Sequence, residues 1–274
     1  MRRYFVLLAS FLMAFTACRK EAILTPSVDV PSYTLPQGNH SYDDSIVQFY
    51  QKYNCYILYR FTHTDFAYNY TNMRQDSAFN ANPAYIGNTL RFFYDQLITR
   101  YPESFLKKTL PFKVLLASYI GTGATRDAAG FASTISTLTI GWADSTLLNK
   151  SPTATKQMRG LLNRFYMERA YRVKSVDIPQ AFIELAPYDY LAIQPGNKYA
   201  NGVIGNTNGS ILNVVVDFLD YVEAITSHSK AELEATLLSP TVDTKGLIRK
   251  KYEIITNYFT NNFATDLQAV GEKP

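Results

Sequence analysis

Apolar positions along this chain switch between helical spacing and short unbroken runs, and the switches mark out its elements. The chain opens with an uncharged apolar run from Tyr4 to Ala17. Residues 19–42 have no period and hold Pro26, Pro31, Pro36 and Gly38 among small polar residues, a composition that predicts a tether. From Asp43 the pattern turns helical, with Asp43-Asp44-Ser45 preceding Ile46, Phe49, Tyr50 and Tyr53. Tyr56 to Phe61 predicts a strand, whereas residues 62–80 are polar and aromatic without a clear period. Leu90, Phe93, Leu97 and Ile98 predict a helix from about Ile86 to Tyr101. Phe112 to Ile120 reads as an apolar strand and Ser133 to Trp142 as an alternating one, with Gly121-Thr122-Gly123-Ala124 as a loop between them.

The second half is more helical. A helix is predicted from about Thr155 to Arg172, carrying Met158, Leu161, Leu162, Phe165 and Tyr166 on one side. Pro187 to Gly209 holds four glycines and several asparagines and reads as irregular. Ser210 to Ile225 is apolar enough for a buried helix, and Lys230 to Leu238 forms a shorter one. Lys245 to Phe263 predicts an amphipathic helix with Leu247, Ile248, Tyr252, Ile255, Tyr258 and Phe259 inward. Strands early and helices late predict an α+β domain, and no internal repeat is visible.

The apolar opening gains meaning from what flanks it. Arg2 and Arg3 precede it, and Phe15-Thr16-Ala17-Cys18 closes it with small residues before a cysteine. Charged, apolar, small is the order of a secretory signal. The run is shorter than the ~20 residues of a spanning helix. A cysteine directly after the small residues resembles the bacterial lipobox, in which that residue is acylated and becomes the mature N-terminus; Phe15 stands where Leu is usual. An ordinary signal with a chance cysteine is the plainer alternative. The expected organisation is a signal peptide over 1–17, a lipidated tether over 18–42 and one domain over 43–274.

Removing residues 1–17 leaves 257 residues and, with two arginines gone, takes the net charge from +4 to +2. Without a concentrated basic face, no nucleic-acid partner is implied. With Cys18 acylated, Cys55 is the one free thiol, so no internal disulfide can form. Cys55, between Asn54 and Tyr56 in an apolar stretch, reads as buried filler.

Candidate chemistry is sparse. The three histidines, His40, His63 and His228, have no i, i+4 pair that would set two imidazoles around zinc. There is no G-x-S-x-G elbow and no phosphate loop, and Gly121-x-Gly123 reads as a turn. Asp217, Asp220 and Glu223 lie three apart on one predicted helix; such carboxylates can serve acid/base chemistry, but a solvated face is the expected role. The 21 tyrosines and 17 phenylalanines could build a carbohydrate- or peptide-binding surface, yet spread along the chain they read as core and interface.

Four stretches, in order over residues 43–270, carry a resemblance. They are Tyr53-Asn54-Cys55-Tyr56-Ile57-Leu58-Tyr59-Arg60; Ile178-Pro179-Gln180-Ala181-Phe182 followed by Tyr188-Asp189-Tyr190; Asp217-Phe218-Leu219-Asp220-Tyr221-Val222; and Lys251-Tyr252-Glu253-Ile254-Ile255 with Tyr258-Phe259 and a closing Thr265-Asp266-Leu267. Together they resemble the zinc-metallohydrolase-like lipoproteins that accompany TonB-dependent nutrient-import systems in Bacteroidota. The resemblance implies a zincin-like fold, a small mixed sheet with a helical C-terminal half. Active members look like zincins, with H-E-x-x-H on a metal helix and a further ligand on a later acidic helix. Here the matching helix holds no histidine: its candidate motif positions are Arg164, Phe165, Tyr166, Met167 and Glu168. On the acidic helix the leading Glu position falls on Val216, followed by Asp217 and Asp220.

Arginine, phenylalanine and methionine cannot replace zinc's imidazoles, and Glu168 alone cannot hold the ion. The expected reading is therefore a non-catalytic relative without metal or other cofactor. It would be anchored to the outer membrane by lipid and accessory to a TonB-dependent transporter with its SusD-like lipoprotein, binding a glycan, peptide or partner protein. The pocket would lie between the Thr155–Arg172 helix and the strand near Thr137–Trp142, where an edge strand could accept a peptide. A metallopeptidase using His63, His228 and nearby carboxylates is the alternative, and a purely structural transporter subunit a third. Arg19-Lys20-Glu21 leaves periplasmic or surface exposure open.

Overall fold

A computed structural model describes residues 32–67, 76–122, 125–126, 130–189, 191–205 and 213–273. The predicted signal and Cys18 lie outside these, as do Tyr190 and residues 206–212. Residues 35–274 make one compact unit, and 1–34 a separate one of which only 32–34 are described. Residues 35–42, within the stretch expected to be tether, therefore belong to the folded part. The Gln37 side chain accepts from the backbone N–H of Tyr59 at 2.8 Å and of Arg60 at 3.1 Å, and donates to the Arg60 carbonyl at 2.7 Å.

The elements run α1 (Asp43–Tyr53), β1 (Tyr56–Leu58), α2 (His63–Ala67), β2 (Ser77–Asn80), α3 (Ile86–Gln96), α4 (Glu103–Thr109) and β3 (Lys113–Gly121). There follow β4 (Phe131–Ser133), β5 (Thr137–Ile140), α5 (Pro152–Arg172), α6 (Gln180–Ile183), α7 (Val214–Ser227), α8 (Lys230–Ala235), α9 (Leu247–Phe263) and α10 (Leu267–Gly271). The sheet is small and mixed, in the order β1-β3-β5-β4. Its centre is parallel, with Tyr56 opposite Lys113 and Lys113 opposite Thr137. Strand β4 closes one edge antiparallel to β5, and β2 pairs antiparallel with the far end of β3. Lys113 to Ala117 are all buried, as expected of a central strand covered on both faces.

Several expected elements are corrected. The strand Tyr56–Phe61 stops at Leu58, because Gln37 takes the next two N–H groups. The helix Ile86–Tyr101 ends at Gln96; a 3-10 turn over Ile98–Arg100 follows, and Tyr101 is extended because Pro102 disfavours the helical conformation before it. The single strand Ser133–Trp142 is a hairpin, β4 and β5. It turns on a Thr134 N–H to Thr137 carbonyl bond at 2.8 Å, with Thr134 Oγ1 accepting from Ser136 N. Residues 62–80, without a readable period, contain α2 and β2. The apolar helix begins at Val214, capped by the Asn213 side chain, rather than at Ser210.

Helix α5 is the spine. The Ser151 side chain caps its start and Pro152 occupies the first turn. Its buried residues run round the helix, including Arg159, Gly160, Asn163, Met167 and Ala170 beside Met158, Leu162 and Tyr166; Leu161 and Phe165, expected inward, are half-buried. The helix packs on the β4–β5 hairpin on one side and on α7 on another. An added Cβ on Gly160 would stand 2.7 Å from Ser227 Cβ and 2.8 Å from the Glu223 carbonyl, so glycine sets how closely α5 and α7 approach.

Candidate functional site

One turn beyond Gly160, Arg164 reaches across to α7. Its Nη1 donates to Asp220 Oδ1 in a short ion pair and lies 3.4 Å from Glu223 Oε2. Burial pushes both carboxyls above their usual range, and the guanidinium pulls them back. Asp220 Oδ2 is buried without a hydrogen-bond partner, pressed against Gly205, where an added Cβ would stand 1.7 Å away. Four residues on, Glu168 accepts from Ser133 Oγ on β4 at 3.2 Å and from Arg172 at 2.5 Å. Arg164 and Glu168 thus share one face of α5, at the i, i+4 spacing that two zinc-binding imidazoles would occupy.

The other expected positions divide between core and site. Phe165 is half-buried, its ring 6.3 Å from that of Phe131 on β4. Tyr166 is fully buried and hydrogen-bonded to Thr109, with burial pushing its hydroxyl up. Met167 is core. Val216 sits in the first turn of α7, its N–H bonded to the Asn213 side chain.

Asp217 is not on a solvated face, and this corrects the expectation. It is 2% exposed; it accepts from Lys251 Nζ at 2.8 Å, from the Tyr188 hydroxyl at 2.7 Å and from the Ile204 N–H at 3.1 Å. Asp220 and Glu223 are likewise partly buried and paired rather than solvated.

His40 and His63 stay apart from this site, and His228 borders it. His63 bonds Ser77 Oγ at 3.1 Å, His228 bonds Ser227 Oγ at 2.8 Å, and His40 stacks on Tyr42. His228 does line a hollow of about 430 Å³ with Lys198, Asp220 and Glu223. Among the described residues no three His, Cys, Asp or Glu side chains gather as a ligand set. On this side of the sheet the edge strand is β4 rather than the Thr137–Trp142 stretch. Cys55 is 1% exposed, and burial pushes its thiol far up, which keeps it a thiol rather than a nucleophile.

No protein-family model matches the sequence, and no curated protein matches it. The fold is similar to a crystal structure, at 2.10 Å resolution, of a "putative zinc-binding metallo-peptidase" from Bacteroides caccae. The likeness has a TM-score of 0.55 at 10% sequence identity and covers 86% of this chain and 92% of that one. The chain therefore has a metallopeptidase-like α+β fold.

Proposed function

We propose that this chain is a non-catalytic, metallopeptidase-like lipoprotein, held by lipid on Cys18 and accessory to a TonB-dependent, SusC/SusD-type nutrient uptake system. The observation that carries the reading is the Arg164 guanidinium set between Asp220 and Glu223. A metal ion beside partly buried carboxylates supplies positive charge and a Lewis acid; a guanidinium supplies the charge alone, with no coordination site for water. Phe165, next to Arg164, would stand where a metallopeptidase keeps its general base, and it cannot take a proton. The scaffold of the Bacteroides neighbour is thus kept with residue types suited to an ion pair. Cys18, after its charged and apolar leader, supplies the link to the outer membrane.

The test uses protein extracted from its own membranes in detergent. Intact mass should show Cys18 as an acylated N-terminus, and a TonB-dependent transporter should co-purify. After chelation and zinc repletion, metal analysis should find no stoichiometric zinc. Tightly bound stoichiometric zinc would overturn the reading in favour of a peptidase with unconventional ligands, and elution of the chain alone would remove the transporter from it.

A further inference from the structure

Away from the Arg164 site, α1 and α3 pack through Phe49 against Phe93 and Tyr94. Beside that contact they leave an open groove of about 660 Å³. We propose that this groove binds an acidic oligosaccharide, with a uronate carboxylate at Arg91 and sugar faces against the groove's tyrosines. The proposal stands apart from the metal content of the Arg164 site.

The lining argues for the ligand class. Tyr53 and Tyr94 line the groove with rings that carry polar tips, surfaces suited to the C–H faces of sugars. Gln48 and Asn88 add side-chain amides that form no hydrogen bond among the described residues. No carboxylate lines the groove, whereas two cations do. Lys52 is held by Glu103 at 2.9 Å, but Arg91 makes no ion pair among the described residues and is left to meet an anion.

Gly87 adds an independent point. It lies in the first turn of α3, where glycine is less stable than alanine. An added Cβ would meet only Tyr42 Cδ1, at an ordinary 3.8 Å, so packing does not require glycine there. Its missing side chain keeps the groove open. A peptide ligand is disfavoured: the walls are helices, offering no sheet edge to extend, and polar side chains interrupt the apolar ones so that the lining is no continuous apolar trough.

Titration calorimetry on the purified full-length chain tests this, against tetragalacturonic acid, oligoguluronate and a chondroitin oligosaccharide. Cellotetraose and tetraglutamate serve as the neutral and the peptide probes. At least one uronate-bearing probe should bind saturably, and more weakly as salt rises. Arg91→Glu should weaken it roughly tenfold or more, Gly87→Leu should abolish it, and Gly87→Ala should retain it. The proposal is overturned if no uronate-bearing probe binds more tightly than about 1 mM. It is equally overturned if only tetraglutamate binds, or if Arg91→Glu leaves affinity unchanged. Arg91 is exposed, so that variant decides the matter even should Gly87→Leu fail to fold.

Discussion

Lys251 Nζ lies 2.8 Å from Asp217 Oδ2, with the two side chains 0% and 1% exposed. The ammonium also donates to the Tyr188 hydroxyl at 2.7 Å and sits over the rings of Phe182 and Tyr188. The pair ties α7 to α9 and, through Tyr188 and the Ile204 N–H, pins the irregular segment between α6 and α7. Removing one partner strands a buried charge. Lys251→Met alone should therefore cost about 3–5 kcal/mol, whereas Lys251→Met with Asp217→Leu should recover much of the loss. Urea unfolding midpoints decide it, and a single-variant cost below about 1 kcal/mol would show that the pair does not hold the segment.

A second prediction concerns Gly160. In an exposed helix, alanine would be favoured over glycine by up to about 1 kcal/mol. Here the Cβ would strike the Glu223 carbonyl and Ser227 Cβ, neither of which is the flexible end of a side chain. Overpacking should win, so Gly160→Ala is expected to destabilise by about 1–3 kcal/mol. A stabilised variant in thermal melts would mean that α5 and α7 are not in close contact.

These two sites also mark what a sequence can disclose. The absence of histidine from α5 is plain in the order of residues, as is the character of Cys55, which is 1% exposed. Of the six residues the α9 pattern turns inward, Ile248, Tyr252, Ile255 and Phe259 are buried, whereas Leu247 and Tyr258 are half-buried. Asp217 reads as a solvated carboxylate because its neutralising partner lies 34 residues away, on a position of α9 that looks merely polar. The β4–β5 turn is hidden because Thr134-Ile135-Ser136 continues the alternation and lacks glycine or proline. Arg159 is the largest omission. It is fully buried and donates to the carbonyls of Thr226 at 2.8 Å and Gly271 at 3.2 Å, bracing the ends of α7 and α10. Nothing local distinguishes it from a surface arginine.

The Arg164 cluster makes a pH-dependent prediction. Burial holds Asp220 and Glu223 above the usual carboxylate range, and Arg164 opposes this. A carboxyl raised in the folded state keeps its proton to higher pH than in the unfolded chain. Its contribution to stability is therefore lost as pH rises from the ordinary carboxylate range through the folded value. Arg164→Ala should raise both groups further and extend that loss upward. The variant should thus be more destabilised relative to the parent chain at pH 8 than at pH 4.5. Equal losses at the two pH values would show that the guanidinium does not neutralise the pair.

The sharpest test of the site rebuilds what the ion pair is argued to replace. Arg164 and Glu168 share a face of α5, and the first of them already meets the carboxylates of α7. Arg164→His, Phe165→Glu and Glu168→His together would write H-E-x-x-H in that register, with Asp220 or Glu223 beside it as the further ligand. Zinc should then bind with a stoichiometry near one and raise the melting temperature, since a metal that binds only the folded state stabilises it by mass action. Removing it with a chelator should lower the melting temperature again. Moving the motif one residue along, to begin at Phe165, puts the new imidazoles where Phe165 meets Phe131 on β4 and where Arg169 meets the Thr109, Leu110 and Ile135 carbonyls rather than at the acids, and should gain no zinc. If the first variant folds and stays metal-free, then position 164 is not the ancestral ligand position, and the carboxylates of α7 answer to Arg164 for structural reasons alone.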